Sequence, residues 1–522
     1  MNSSHRLVYN TVVTYGRTIL SILLALYSTR IILEALGAED FGLYSMIGGL
    51  VATLAFLNSV MTTSTQRFLS VSLGKGNILE SKRIFSNSLF LHLIIGFMVL
   101  FVVEGVGAYL IHYQLKIAVN RTDTAMYLLH FIALSTFFTI ISVPYDAIIT
   151  AHENMGFLAV INIIESILKF GVALVVLYYT HDKLVLYGSL LMLVSLFTVL
   201  CKRLYSRKRY TECHGDMRTD VNKPLLKELG SFAGWQLFGN LSSIARSQGT
   251  AVVLNLFFTT VVNAAYGIAN QINGQLMFFT QSLLSAIRPQ IMKAEGANDR
   301  DRMIRLALLA NKLAYYFFAI IAIPAYFLLP IILKWWLKEV PTFTVEFCRA
   351  IIVLTLVSQL SQGVITAVQA IGKIRVYQIV AGSILLLTLP LGYLLLKIGY
   401  DAVSIIYVAM TLEIIALIFR AFYFRYLTSF PVYKYFIDII GRAILVALFP
   451  IMISYFLNLY FEDSILKVLI LSASSSIVLL ACMSVFGFNT DEKVRIKNLL
   501  TKMLGSLGKK LSFNKLSNLK LK

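Results

Sequence analysis

The sequence contains few charged residues. Asp, Glu, Lys and Arg make up 14% of its 522 residues, while 58% are hydrophobic. Soluble globular proteins carry about 25% charged residues, so the composition excludes that class and indicates a protein that crosses a membrane many times. The hydrophobic residues are spread along the whole chain, which leaves no room for a separate soluble domain.

Cysteine and histidine are also scarce. The four cysteines lie far apart without paired spacing, so neither a disulfide framework nor a zinc site is indicated. The seven histidines do not cluster, and we expect His130, within a hydrophobic segment, to pack rather than to relay protons. Motifs for nucleotide binding are absent. We therefore expect no metal, no cofactor and no catalytic residue.

What the chain does have is a series of hydrophobic segments long enough to span a bilayer. We count about fourteen on the usual criterion of roughly 20 residues. They cover approximately residues 11–33, 42–64, 87–111, 126–150, 157–180, 184–204, 229–258, 264–287, 306–333, 347–371, 377–397, 402–424, 437–460 and 464–486. The first contains Arg17 and has no cleavage site after it, so it predicts a retained anchor and not a signal peptide.

The formal net charge of +20 is distributed unevenly between the loops. Loops after the even-numbered spans are basic, as in CKRLYSRKRY, whereas the odd-numbered loops are short and comparatively acidic, as in GAED and FEDS. The positive-inside rule then places both termini and the even loops in the cytoplasm. Because the excess charge suits anionic membrane lipids, we expect no nucleic-acid partner.

The chain divides into two similar halves. Shifting it by 222 residues superposes Tyr44 on Tyr266, Gly74 on Gly296 and Arg83 on Arg305. Each half holds six spans and starts on the same side, which predicts parallel repeats about an axis along the membrane normal. The predicted all-α protein has a six-helix bundle in residues 1–210, a cytoplasmic linker in 211–228, a second six-helix bundle in 229–427, two further transmembrane helices in 428–488 and a basic amphipathic tail in 489–522.

Three stretches carry a resemblance to a known family. They are YNTVVTYGRTILSILLALYSTRIILEALGAEDFGLYSMIGGLV, SVPYDAIITAHENMGFLAVINIIESILKFGVAL and, at the matching place in the second half, AVQAIGKIRVYQIV. In them the chain resembles the polysaccharide and O-antigen flippases of the multidrug/oligosaccharidyl-lipid/polysaccharide (MOP, MATE-like) exporter superfamily. The resemblance implies two six-helix bundles around a central cavity, lined largely by spans one, two, seven and eight, with alternating access from the two sides of the membrane.

Spans seven and eight each carry a polar stripe. Polar or small residues recur every three or four positions from Gln236 to Thr250 and from Asn263 to Gln281. Such stripes face protein or water, because polar atoms in hydrocarbon are costly. Helix packing and a cavity wall both fit the small and hydroxyl residues. The residues that we predict to line a cavity are Gln236, Asn240, Ser243, Tyr266, Asn270, Asn273 and, in span ten, Gln362.

Arginines in the central spans indicate an anionic ligand. Arg246 lies mid-span, where an arginine costs about 2.5–3.5 kcal/mol, and spans one, two, seven and eight hold no buried carboxylate. The planar guanidinium can donate two parallel hydrogen bonds to a phosphate. We therefore predict that Arg246, with Arg17 and Arg30, binds a pyrophosphate, although Arg17 and Arg30 are close enough to span ends to reach the interface instead.

The remaining charges within spans suggest structural or coupling roles. Glu165 and Lys169 are four residues apart on one helix and are expected to pair. Glu413 and Arg420 are two turns apart, and we expect them to meet only through neighbours. Glu104 and Glu413 are the candidates for coupling transport to an ion.

The resemblance and the surplus of cations together predict a flippase. It would move a polyprenyl-pyrophosphate-linked oligosaccharide, an O-antigen or capsule repeat unit, across the bacterial cytoplasmic (inner) membrane. The lipid-linked oligosaccharide and anionic lipids would be its partners, and other polysaccharide-assembly membrane proteins are candidates. Two alternatives stay open: a cation-coupled multidrug exporter of the same superfamily, and a polytopic enzyme acting on lipid-linked sugars.

Overall fold

The computed structural model of the protein describes residues 3–52, 55–115, 117–337, 339–490 and 492–494. This part of the chain is predominantly helical and contains no strand. Its sixteen long helices are α1 (Ser3–Ala52), α2 (Ala55–Gly74), α3 (Ile78–Tyr113), α4 (Thr122–Ala151), α5 (Met155–Tyr178), α6 (Lys183–Arg209), α7 (Lys223–Phe257), α8 (Thr260–Gly296), α9 (Arg300–Trp336), α10 (Thr344–Gln359), α11 (Gln362–Ile371), α12 (Ile374–Leu386), α13 (Thr388–Ile398), α14 (Ser404–Thr428), α15 (Arg442–Tyr460) and α16 (Ile465–Cys482).

Most of these helices are apolar enough to cross a membrane. Among the described residues nine helical segments meet that criterion, or ten if α10 and α11, which are bent by 43° at their junction, form one span. Helices α2, α7 and α8 are long as well but carry more polar residues and fall outside that set. The helices are consistent with the fourteen predicted spans. Helices α7 and α8 correspond to spans seven and eight, whereas predicted span two begins in α1 and continues into α2.

The first two predicted spans are joined at a single glycine. Gly37 has φ 75° and ψ 171° within the otherwise helical α1. Only glycine adopts this conformation readily, because a Cβ would collide with the backbone. The short loop predicted at GAED is therefore a break within α1.

The helices group into two bundles. In the first, α1 packs on α5, and α4 packs on α2, α3 and α6; in the second, α8 packs on α9 and α10, α7 packs on α12, and α14 packs on α10 and α13. Helices α15 and α16 pack on each other and on α9. This arrangement confirms the predicted fold class. The exact domain bounds stay predictions, and the basic tail from residue 495 onward lies outside the described residues.

The two halves meet where α2 crosses α8. Gly74 lies against the backbone carbonyl of Lys293, and Gly296 lies against that of Val71; a Cβ on either glycine would overlap the carbonyl oxygen. Gly74 and Gly296 are 222 residues apart, and so are Val71 and Lys293. The two contacts are therefore related as in a twofold interface, which is the geometry expected of parallel repeats.

Both glycines lie on the side of the protein that carries the even-numbered loops. We call this side the basic face; its loops are residues 75–77, 152–154, 210–222, 297–299, 372–373 and 429–431. Two further contacts join the halves there. Lys293 pairs with Glu153 at 2.9 Å, and Nη2 of Arg67 donates to the carbonyl oxygen of Ala370 at 3.3 Å. The bundles are thus held together at the basic face.

Candidate functional site

A small polar cavity lies between the halves, close to the crossing of α2 and α8. Its volume is about 260 Å³. Ser59 and Thr63 of α2 line it from the first half. The second half contributes Gln236, Asn240, Gln281, Arg288, Gln362, Ile365, Thr366 and Gln369. We call this space the central cavity; the described residues of its wall include amides, hydroxyls and one arginine, but no carboxylate.

The amide side chains of the cavity wall are tied to one another. The side-chain oxygen of buried Gln236 accepts hydrogen bonds from Gln378 at 3.0 Å and from Gln369 at 3.4 Å. Gln362 donates to the carbonyl oxygen of Ser358 at 3.3 Å. Because these bonds join α7, α11 and α12, they fix the amides in place around the cavity.

Arg288 supplies positive charge to the central cavity. Its Nη2 donates to Oε1 of Gln281 at 2.9 Å, and no carboxylate pairs with it in the part of the chain that the structure describes. Arg288 lies eight residues before the end of α8, which is about 12 Å along the helix axis. It is therefore a cation set back from the basic face, with an amide as its protein partner.

Sequence reasoning missed Arg288 by assigning it to a loop. The predicted span ended at residue 287, where the hydrophobic run ends, whereas α8 continues to Gly296. It continues because Ile287 and Ile291 are buried in the core shared with the rest of the bundle. The available signal was the seven-residue spacing between Gln281 and Arg288, which extends the polar stripe of this helix by two turns.

Arg246, the arginine predicted to bind the anion, faces a carboxylate. Its Nη1 lies 3.6 Å from Oε2 of Glu413, and Glu413 also accepts a hydrogen bond from Nη1 of Arg420 at 2.6 Å. The expectation that Glu413 and Arg420 meet only through neighbours is wrong, because their separation of seven residues keeps both on one face of α14, where the long arginine reaches back two turns. Glu413 belongs to α14, outside the four spans searched for a partner to Arg246.

Arg30, another of the predicted arginines, does not lie at the central cavity. It is exposed on α1, near its break at Gly37, and forms no ion pair with any residue that the structure describes. It is not among the residues that line the 260 Å³ cavity. The side chain of Arg17, the third predicted arginine, lies outside those described.

The family of the protein follows from its sequence together with this fold. The family model for polysaccharide biosynthesis proteins matches residues 6–295, more than half of the chain. The chain belongs to the polysaccharide biosynthesis protein family. None of the curated proteins matches its sequence.

Solved structures of MATE transporters share the fold of this polysaccharide biosynthesis protein. A MATE in the bent conformation gives a TM-score of 0.71 at 13% identity and covers 82% of this chain and 99% of its own. An outward-facing multidrug resistance MATE transporter of the MOP superfamily gives 0.70 at 14% identity, over 82% and 96%. A MOP superfamily transporter from Pyrococcus furiosus, described as having a binding pocket of reverse polarity that suggests a different function, gives 0.66 at 14% identity, over 82% and 97%. The chain is thus a multi-pass membrane protein with a transporter fold.

The predicted cavity residues of this family member fall into two groups. Gln236, Asn240 and Gln362 line the central cavity, as described above. Tyr266 instead is buried, with its hydroxyl donating to the carbonyl oxygen of Ser247 at 3.3 Å. The predicted residues that lie outside the central cavity lining are Ser243, Tyr266, Asn270 and Asn273.

Three of these outlying residues, Tyr266, Asn270 and Asn273, lie on the part of α8 that runs away from the cavity. Asn270 donates to the carbonyl oxygen of Tyr266 at 2.9 Å, and Asn273 accepts from Thr355 of α10 at 2.9 Å. On the same helix Gly267 and Gly274 are exposed, and a Cβ on either would meet nothing within 4 Å. The two glycines therefore do not pack closely against another helix. Of the two interpretations of the polar stripe in span eight, helix packing and a cavity wall, helix packing does not explain them.

The candidate coupling carboxylates both have partners. Glu104 lies 2.7 Å from Nδ1 of His130, so the histidine expected to serve packing is an ion-pair or hydrogen-bond partner. Glu413 is shared by two arginines, as above. The expected pair of Glu165 and Lys169 is present at 2.7 Å. No group of metal-ligating side chains occurs among the described residues.

A second cavity lies inside the first bundle. It has a volume of about 680 Å³ and is bordered by α1, α2, α4, α5 and α6. Ser21 and Ser28 of span one line it, and Ser21 shares a hydrogen bond with Ser166 of α5 at 2.9 Å. These two serines of span one therefore face their own bundle, not the space between the halves.

Proposed function

We propose that this protein is a flippase that moves a polyprenyl-pyrophosphate-linked oligosaccharide across the bacterial cytoplasmic membrane by alternating access. The observation that carries the proposal is Arg288, a cation without a carboxylate partner among the described residues, in a cavity between two repeated bundles. A transporter fold and membership of the polysaccharide biosynthesis family support the class of substrate.

The chemistry of the cavity fits a pyrophosphate that carries a sugar. An arginine can donate two parallel hydrogen bonds to phosphate oxygens, and it stays charged where the dielectric is low. Around it Gln281, Gln236 and Asn240 offer amide donors and acceptors for phosphate or sugar oxygens. At about 260 Å³ the cavity suits the headgroup near the phosphates, with the rest of the oligosaccharide outside it.

The orientation of transport follows from the loops. Because basic loops stay on the cytoplasmic side, the basic face is the cytoplasmic face, both termini lie there, and the substrate is taken from that leaflet. The contacts at Gly74, Gly296 and Lys293 then close the cytoplasmic side. Opening requires the bundles to separate there, as two parallel repeats can by rocking about their common axis.

The exporter alternative needs a carboxylate free to bind a cation. Glu413 is a buried carboxylate beside Arg246, and it pairs with both Arg246 and Arg420. A carboxylate between two arginines is poorly suited to bind Na⁺ or a cationic drug. We therefore favour the flippase. The contributions of Arg246, Arg17 and Arg30 to substrate binding, and an assembly with other polysaccharide-assembly proteins, stay predictions.

Reconstitution tests the two functions side by side. Purified protein in liposomes is given a fluorescent polyprenyl-pyrophosphate oligosaccharide, and the fraction protected from an impermeant quencher is followed with time. A flippase should exchange the fluorescent lipid rapidly between the two leaflets. Liposomes without the protein should not. A protein that leaves this lipid in place but accumulates a cationic dye along an ion gradient would instead be the exporter.

A further inference from the structure

A large pocket on the basic face is not accounted for by the central cavity. Its volume is about 920 Å³, and it lies between the start of α7, the junction of α11 and α12, and the end of α14. Arg67 reaches it from α2 of the first half. We call it the basic pocket.

The charges in the basic pocket are strongly unbalanced. Four cations line it, namely Arg67, Lys227, Lys373 and Arg375, against one carboxylate, Glu228. Two of these cations, Lys373 and Arg375, belong to the segment AVQAIGKIRVYQIV, and neither of them lines the central cavity. A concave surface with this excess of positive charge concentrates anions from solution or from the membrane surface.

Arg67 is held between two aromatic rings and retains a donor that makes no hydrogen bond to the described residues. Its guanidinium lies 4.4 Å from the ring of Phe68 and 5.2 Å from that of Phe232. Nη2 donates to the carbonyl oxygen of Ala370, while Nε is buried without a hydrogen-bond partner among the described residues. A buried donor without a partner is costly, and an anion in the pocket would satisfy it.

The junction of α11 and α12 is shaped to admit this arginine. Gly372 has φ 90°, and a Cβ there would overlap Nη2 of Arg67. The following residues, Lys373 and Arg375, are exposed toward the pocket. The guanidinium of Arg375 lies 5.3 Å from the ring of Trp235. Cations and aromatic rings therefore alternate around the opening, which suits a phosphate attached to an apolar or sugar group.

The equivalent place in the first half is closed. There the loop after α4 carries His152, which stacks on Tyr210 at 4.2 Å and lies 3.2 Å from Oε1 of Glu212. Asn154 donates to the hydroxyl groups of Tyr205 and Tyr210 at 2.6 and 3.2 Å. The same junction is thus filled and paired in one half, but open and basic in the other, so the repeated architecture does not itself require the pocket.

We propose that the basic pocket binds the phosphate group of a membrane lipid. That phosphate has two possible sources: the headgroup of an anionic phospholipid, or the pyrophosphate of a polyprenyl lipid before it reaches the central cavity. Only the second source rests on the proposed function. Lys373 and Arg375 supply the accessible charge, and Trp235 lies beside them.

Trp235 offers a direct readout of binding. The protein has three tryptophans, and the other two, Trp335 and Trp336, are about half exposed at the end of α9. The variant W335F/W336F therefore reports on Trp235 alone. In detergent it is titrated with dioctanoyl phosphatidylglycerol and with farnesyl pyrophosphate, and with dioctanoylglycerol and farnesol as the matched uncharged compounds.

The expected result is a saturable change in Trp235 fluorescence with one or both anions and with neither uncharged compound. Adding K373Q/R375Q should weaken the apparent affinity about tenfold or more, since each charged hydrogen bond contributes strongly; R425Q, on the same face but outside the pocket, should leave it unchanged. Preference for phosphatidylglycerol indicates a phospholipid site, and preference for the pyrophosphate a loading site for substrate.

The proposal is overturned if neither anion gives a saturable change, if the uncharged compounds act equally, or if K373Q/R375Q binds as tightly as its parent. These outcomes are independent of lipid transport, because the titration requires no translocation. A protein that binds the anions here but moves no lipid-linked oligosaccharide would overturn the proposed function alone.

Discussion

Gly74 packs against the backbone carbonyl of Lys293, and its repeat equivalent, Gly296, packs in the same way against Val71. The halves are therefore in close contact at two symmetry-related points on the basic face. Because each glycine meets backbone and not a flexible side chain, the neighbour cannot move aside without separating the helices.

Alanine at either glycine should force α2 and α8 apart. Overpacking of this kind costs about 1–3 kcal/mol, so G74A and G296A should each lower the thermal unfolding temperature of the purified protein by several degrees. The control is G230A on α7, where a Cβ meets nothing within 4 Å. Unfolding temperatures for G74A and G296A equal to that of G230A would contradict the close crossing.

Replacing Glu413 should be strongly destabilising. E413Q leaves the buried Arg420 and the partly buried Arg246 without their carboxylate, and breaking a buried pair costs about 3–5 kcal/mol. The double variant E413Q/R420M should recover part of this loss. E104Q is the control, because Glu104 and His130 are more exposed. The measurement is thermal unfolding in detergent. Equal effects of E413Q and E104Q would show that the buried pairs of Glu413 do not stabilise the protein more than the exposed pair of Glu104.

Asp182 on the opposite face gives a pH-dependent contribution to stability. It caps α6, accepts from Thr124 at 2.8 Å and pairs with Arg121 at 2.9 Å. Burial raises the pKa of Asp182, but these hydrogen bonds and the charge of Arg121 outweigh it and leave the pKa below its ordinary 3.8. The stabilisation is therefore present above pH 3.8 and is lost as the pH falls through the lower value in the folded protein.

The comparison of wild type with D182N tests this contribution. The wild type should unfold at the higher temperature near pH 6, and the difference should shrink as the pH falls below about 4. D463N is the control, because the Asp463 carboxylate is two-thirds exposed in its pair with Lys467. If the difference in unfolding temperature between wild type and D182N does not vary with pH, the pKa of Asp182 is not lowered in the folded protein.

The sequence was sufficient for the fold but only partly so for the site. Hydropathy located the spans, and the match of Gly74 with Gly296 indicated the repeat. That these two glycines also form the contact between the halves is seen only in the structure. Periodicity also identified Gln236 and Asn240, which lie on one face of α7. Hydropathy, repeats and periodicity all follow from the order of residues along the chain, so they can be read from a single sequence.

The charges were harder to predict because their environment depends on helices distant in sequence. Glu413 reaches Arg246 from α14, and no spacing rule links the two. Arg288 lies just beyond the hydrophobic run of its helix, so a length criterion assigned it to a loop. The break at Gly37 is a similar case. The residues GAED predicted a short loop, but the sequence did not show that the loop would be a break within one long helix.

We propose that Arg288 binds the pyrophosphate of the transported lipid. This proposal is tested by replacing Arg288 in a strain whose surface glycan depends on this protein and in the liposome assay. R288A should abolish surface glycan and reduce lipid exchange by a hundredfold or so, if a bidentate charged contact worth about 3 kcal/mol is lost. R288K should recover only part of the activity, because lysine keeps the charge but not the planar fork.

The matched control is R305A, which removes an exposed arginine of α9 on the basic face. All three variants must be present in the membrane at wild-type levels for the comparison to count. We expect lost transport for R288A, partial transport for R288K and normal transport for R305A. Normal lipid exchange and surface glycan in R288A would show that Arg288 does not bind the transported pyrophosphate.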